Sequence, residues 1–157
     1  MNVSADVVGG EQVYIRLQNL PDKLRVALTK AMTLAMIDLR SYIASSKLSG
    51  QVLKVRSGTL RRSITQRIID TSTGVTGIVG TNVKYAAVHE YGFQGQVTVK
   101  EHLRKLKSGD VANVSSFSRR MSMPQRSFLR SGLKDKKEDI QARLAKTINE
   151  VASGSDS

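Results

Sequence analysis

The 157 residues hold two histidines, thirteen carboxylates and no cysteine, which is little material for acid–base, metal or nucleophilic chemistry. Without cysteine there is no disulfide framework, no thiolate ligand and no thiol nucleophile. Neither histidine has a second one at metal-ligand spacing, so a zinc or iron site is not expected. His89-Glu90 is the most catalytic-looking pair. Neighbours on a helix point about 100° apart and do not form a dyad, so His89 reads as a satisfied structural residue. No phosphate-cradling G-x-x-x-x-G-K-[ST] or G-x-G-x-x-G element is present. Gly74, Gly77 and Gly80 sit in and beside a predicted strand and read as turn and close-packing glycines. Asp135, Glu138 and Asp139 alternate with Lys134, Lys136 and Lys137 and read as a solvated, ion-paired helix face. The expectation is a chain with no catalytic residues, no metal and no cofactor.

Charge offers more. Lys and Arg number 25, the net charge is +12 and the pI is about 10.3, a balance that attracts polyanions. Between Phe93 and Lys134 nine Lys or Arg stand against Glu101 and Asp110, so this quarter of the chain carries +7. A second group, Arg56, Arg61, Arg62 and Arg67, flanks a predicted hairpin. Both groups could neutralise phosphates. No helix-turn-helix, zinc-finger or RRM signature accompanies them, and aromatics are only 4%, so any DNA contact would be independent of sequence.

The elements that position these residues follow from periodicity. The length suits a single domain with one core, expected over residues 1–152 and built from Leu, Ile, Val, Met and Ala. Val13 to Leu20 fits a short helix or a strand. Pro21 and Asp22 open a long amphipathic helix to about Leu48, with Leu24, Leu28, Ala31, Ala35, Leu39 and Tyr42 on one stripe, widened by Met32, Met36 and Ile43. Ser57-Gly58-Thr59-Leu60 turns the chain back to the core. Ser63 to Asp70 and Val75 to Thr81 form an antiparallel hairpin, with Ile64, Ile68, Val75 and Val79 on its buried face. Asn82 to Gly92 reads as a short helix, closed by Gly92 and packed through Ala86 and Ala87. A closing helix presents Leu129, Leu133, Ile140, Leu144, Ile148 and Val151 on one face, and residues 153–157 form a disordered tail. The fold class is therefore α+β, with two long helices on a small antiparallel sheet. No stretch reaches the roughly 18 to 20 apolar residues of a membrane span, and Met1 to Gly10 does not look like a signal peptide.

Residues 93–123 break this pattern. Val97 and Val99 on one side, and Val111 and Val114 on the other, flank a tip at Ser108-Gly109. A two-residue turn there would set Lys107 opposite Asp110 and Val99 opposite Ser118, making an arm that projects roughly 30 Å. A lone ribbon is marginal in water, so a neighbouring subunit should hold it. Its interface residues would be Val97, Val99, Lys100, Arg104, Lys105, Lys107, Val111, Val114, Phe117, Arg119 and Arg120.

Three segments, in this order, resemble the tail-component family of tailed bacteriophages, the neck or head–tail joining proteins also called tail completion proteins. They are Val55 to Ile64, with Gly58, Leu60 and Ser63; Val79-Gly80-Thr81 followed by Tyr85, Ala86, Ala87, Val88, His89, Glu90, Tyr91 and Gly92; and Met123 to Leu129, with Pro124, Arg126 and Phe128. Ser127 stands where the family usually has Pro, and the stretch from Phe93 to Met123 is longer than in compact members. The resemblance implies a non-enzymatic, homo-oligomeric ring in the virion neck. Its partners would be itself, head-completion or connector proteins, and tail-tube or tail-terminator proteins, with non-specific contact to DNA in the channel and no membrane. Physical roles for the motifs are a Gly58 turn that starts the hairpin, packing area from Tyr85 and Tyr91, and Arg126 with Phe128 locking the closing helix onto the sheet.

Overall fold

A computed structural model describes residues 5–8, 12–16, 22–71 and 74–153, with side chains described from residue 22 onward. Two strands come first, β1 (Ala5–Val8) and β2 (Gln12–Arg16), which settles the first part of the ambiguous Val13 to Leu20 segment as strand. Residues 17–21, the hairpin turn at 72–73 and the tail at 154–157 lie outside the described residues.

The apolar stripe becomes α1 (Asp22–Tyr42), which runs on through wider π-type turns over Ile43–Gln51 and loses helical geometry at Ser49 and Gly50. A single turn, α2 (Thr59–Arg62), leads to the hairpin strands β3 (Ile64–Thr71) and β4 (Gly74–Thr81), then α3 (Lys84–Tyr91). Four strands make the ribbon: β5 (Phe93–Val99), β6 (His102–Lys105), β7 (Val111–Val114) and β8 (Phe117–Met123). The chain closes with α4 (Leu129–Ala152). The architecture is α+β, as the patterning implied.

The body sheet is antiparallel in the order β1-β2-β4-β3. Pairing from Ile64 opposite Thr81 to Thr71 opposite Gly74 puts Ile64, Ile68, Val75 and Val79 on one face. Ile64, Val75 and Val79 are buried, and Ile68 is half-buried against the core. α1 packs on that sheet, and its Leu24, Leu28, Met32, Met36 and Leu39 are all buried. The close approach depends on Gly77, where an added Cβ would sit 2.6 Å from Met36 Cγ and 2.9 Å from Met32 Sδ. Two polar residues on the same strand face reach the flank of the helix. Gln66 Oε1 accepts from Arg40 Nη1 at 2.9 Å, and Asp70 accepts from Arg25 Nη2 at 2.7 Å and Thr29 Oγ1 at 3.1 Å. The bonds from Arg25 and Thr29 hold the Asp70 carboxyl below the usual range despite partial burial.

The closing helix differs from expectation in what it rests on. It packs on α1 rather than on the sheet, so α1 is the middle layer. Leu129, Leu133, Ile140 and Leu144 are buried there, and Ile148 and Val151 complete the stripe. A Cβ at Gly132 would lie 2.6 Å from Ile43 Cγ1, which marks the close crossing. Tyr42 lies at this seam rather than within the buried stripe, and its hydroxyl donates to Asp135 Oδ2 at 2.8 Å. The buried Lys47 ammonium meets the same oxygen at 2.6 Å. Its hydrogen bond to Asp135 raises the Lys47 pKa, and that bond with Tyr42's lowers the Asp135 pKa. The expected solvated face is therefore divided: Lys136 pairs with Asp139 along α4, whereas Asp135 ties α4 to α1.

Candidate functional site: the motif junction and the ribbon

An α-helix begins with backbone N–H groups that have no intrahelical acceptor, and a negative charge near them is favourable. At the start of α4, residue 128 is Phe rather than a capping Ser, Thr, Asp or Asn. The cap comes from α3 instead. Glu90, only 2% exposed, accepts the N–H of Phe128 at 2.8 Å, of Leu129 at 2.9 Å and of Arg130 at 3.1 Å. The Ser127 hydroxyl donates at 2.5 Å and Arg130 Nε at 3.2 Å. Burial by itself would raise the Glu90 pKa, but the Ser127 hydroxyl and the three N–H groups outweigh it and hold the carboxyl below the usual range.

This carboxylate joins the second motif to the third. Around it, Arg126 N–H donates to the His89 carbonyl at 2.8 Å, and Arg130 Nη2 donates to the Glu90 carbonyl at 3.2 Å. The Arg130 guanidinium lies 4.8 Å from the Tyr91 ring centroid. Gly92 has φ 75°, and a Cβ there would meet backbone of Gln125 at 3.0 Å and of Met123 at 3.1 Å, so the spot requires glycine. Phe128 is fully buried and Ala86 is buried.

Several motif residues sit differently from expectation. Ala87 is exposed, so only one of the alanine pair packs. Tyr85 and Tyr91 are 44% and 58% exposed and contribute less packing than their size suggested. Arg126 is exposed and works through its backbone, while the Phe128 side chain is the one of the two that is buried. The His89 ring makes an edge contact with Tyr85 at 6.0 Å between centroids, and its buried Nδ1 has no hydrogen-bond partner among the described residues, unlike the satisfied histidine expected. The first motif behaves as read. Gly58 has φ 72°, Leu60 packs against the core, and Ser63 Oγ lies 2.6 Å from Thr81 Oγ1 across the hairpin. Among the described residues no group of three His, Asp or Glu could hold a metal, and no helix is long and apolar enough to cross a membrane.

The ribbon grows from this junction. Its pairing runs from Phe93 opposite Met123 to Val99 opposite Phe117, lapses at residues 100–101 and 115–116, and resumes from His102 opposite Val114 to Lys105 opposite Val111. The tip is therefore not the expected two-residue turn. Leu106 N–H donates to the Asp110 carbonyl at 2.8 Å and Gly109 N–H to the Leu106 carbonyl at 3.1 Å, enclosing Lys107, Ser108 and Gly109 with Gly109 at φ 96°. This three-residue loop shifts every pair by one, and Val99 faces Phe117 rather than Ser118.

A one-residue shift decides which side chains share a face. In the observed register Phe93, Val97 and Val99 lie on the same face as Phe117, Met121 and Met123, with Arg119 among them. Gln94, Gln96, Thr98, Ser118, Arg120 and Ser122 make the other face and are exposed. In the second ladder Leu103 and Val111 share a face and are 72% and 61% exposed. Among the described residues no other element packs substantially on the ribbon. Lys100, Arg104, Lys105, Lys107, Arg119 and Arg120 are exposed, and their side chains have no hydrogen-bond or ion-pair partner there. Val114 is half-buried.

The helix cap was invisible as a pair, because Glu90 and the first N–H group it accepts are separated by 38 residues. The available signal was a long helix with no capping residue of its own and a lone glutamate ending a short helix. No curated protein and no solved structure matches this chain. The three motifs that resembled a phage tail or neck family all lie at the structural joints just described, and the family comparison agrees with them. The sequence model of the phage virion morphogenesis family matches residues 37–149, more than two thirds of the chain, which therefore belongs to that family and is a structural phage virion protein.

Proposed function

We propose that the chain is a non-enzymatic, ring-forming subunit of the virion neck, of the tail completion or terminator kind, which joins the DNA-filled head to the tail. The observation that carries this reading is the ribbon. Its apolar residues gather on one face, nothing in the described body covers that face, and a two-stranded ribbon is marginal by itself. A neighbouring copy in a ring supplies the cover, while head-completion or connector proteins and tail-tube or tail-terminator proteins meet the ring above and below. The Glu90 junction fits this role, since it fixes the root of the ribbon to α4. Deleting Gln96 to Arg120 should leave a folded body with its helical circular dichroism, while ring assembly and head–tail joining are lost. Assembly that proceeds unchanged without the ribbon rejects the reading.

A second reading, sequence-independent DNA binding through the ribbon, is favoured by its six exposed cations without a partner among the described residues. It requires duplex binding whose salt dependence weakens when Arg119 and Arg120 become Ala.

A further inference from the structure

The longest stretch of one-signed charge lies in the body, not in the ribbon. From residue 39 to residue 69 there are seven Lys or Arg and no Asp or Glu. Three of the seven are engaged: Arg40 with Gln66, Lys47 with Asp135, and Arg62 with the Ser57 carbonyl. Lys54, Arg56, Arg61 and Arg67 are exposed, and their side chains have no partner among the described residues. The backbone that carries them is well anchored. Leu53 and Ile64 are buried on either side, Leu60 packs on the core between them, and the Arg62 bond closes the turn at Gly58. The ribbon's cations, by contrast, are interleaved with Glu101 and Asp110 on a hairpin without support.

Four unpartnered cations on an anchored backbone complement an anionic partner, and another copy of this chain, itself at net charge +12, is poorly equipped to be one. Asp38, Asp70, Asp135, Asp139 and Glu150 are each paired with the chain's own cations and Glu90 is buried, which among the described residues leaves Asp22, Glu101, Asp110 and Glu138 exposed at scattered positions, Glu101 and Asp110 among the ribbon's own cations. A protein interface would also want an aromatic or apolar anchor, and Val55 is the only exposed large hydrophobic residue in the stretch. Tyr42, the one aromatic residue of the stretch, is engaged with Asp135 at the α1–α4 seam, so none stands free beside the four cations for base stacking, which single strands exploit. We infer that Lys54, Arg56, Arg61 and Arg67 form a sequence-independent contact surface for the phosphate backbone of duplex DNA, separate from the ribbon.

This inference goes beyond the neck reading and does not depend on a ring. The test uses the full-length protein and a mixed-sequence duplex, with binding followed by fluorescence anisotropy across salt concentration. Each phosphate contact contributes about 0.9 to the slope of log K against log salt. The triple variant Arg56→Gln, Arg61→Gln, Arg67→Gln should lower that slope by about 2 to 3. The ribbon variant Lys105→Gln, Lys107→Gln, Arg119→Gln, Arg120→Gln should change it by less than about 1. All seven side chains are exposed, and Arg62 is spared because it holds the turn, so unchanged melting curves will confirm that both variants fold. The inference fails if the duplex does not bind at low salt, or if the ribbon variant takes the slope and the triple variant keeps it. It also fails if polyglutamate at matched charge displaces the protein as readily as DNA, which would assign the surface to an acidic protein.

Discussion

The body and the ribbon are made from the same chain and use opposite rules. In the core and joints of the body, apolar side chains are covered and the buried charges are answered: Phe128 is fully buried, the Glu90 carboxylate receives five donors, and Lys47 at the α1–α4 seam meets Asp135. In the ribbon, Leu103 and Val111 face solvent and six cations have no partner among the described residues. Burying a charge without partners is costly, so the body's polar groups are tolerable only because their partners are in place. Leaving apolar area in water forfeits about 25 cal/mol per Å², so the ribbon keeps that gain for whatever covers it. The core of the body closes on itself within one chain, whereas the ribbon presents an apolar face that no other element covers among the described residues.

That contrast can be broken at several points, beginning where the largest effect is expected. Phe128→Ala should cost about 4 kcal/mol in urea unfolding, because it empties a fully enclosed aromatic site at the α4 joint. A loss under 1 kcal/mol would mean that the joint is far looser than it looks. Glu90→Ala should follow at about 3 kcal/mol, since three backbone N–H groups and the Ser127 hydroxyl lose their acceptor at once.

The same carboxylate sets a pH dependence whose sign is fixed by its depressed pKa. Its contribution is fully present above the unfolded glutamate value of about 4.3 and is lost as pH falls through the lower folded value. Glu90→Gln should therefore flatten part of the acid limb of stability, with Asp70 and Asp135, depressed in the same direction, supplying the remainder. An acid limb identical to that of the parent would contradict the cap. At the other extreme, Val97→Ser with Phe117→Ser should shift body unfolding by less than about 0.5 kcal/mol, since neither side chain touches the core cluster, and yet prevent ring assembly. A variant that assembles normally would show that this face is not the contact.

Much of the body was legible before any coordinates. The stripe from Leu24 to Leu39 set the face of α1, the alternation of Ile64, Ile68, Val75 and Val79 set the inner face of the hairpin, and Gly92 stopped α3. Each of these is a local regularity, in which period and burial follow from residues a few positions apart. The candidate site was legible only as motifs. Nothing near Glu90 in the sequence says that its carboxylate meets N–H groups 38 to 40 residues later, because that encounter depends on how α3 and α4 are brought together.

The ribbon draws the line most sharply. Its existence and its charge follow from the amino-acid order from Phe93 to Met123. Its character does not. A two-residue tip would have set Val97 and Val99 on the same face as Ser118 and Arg120, and the three-residue tip sets them beside Phe117 and Met121 instead. The side-chain period of a strand is two, so a single position in the turn turns a mixed ribbon into an amphipathic one, and only the folded turn, with Gly109 at positive φ, makes that choice.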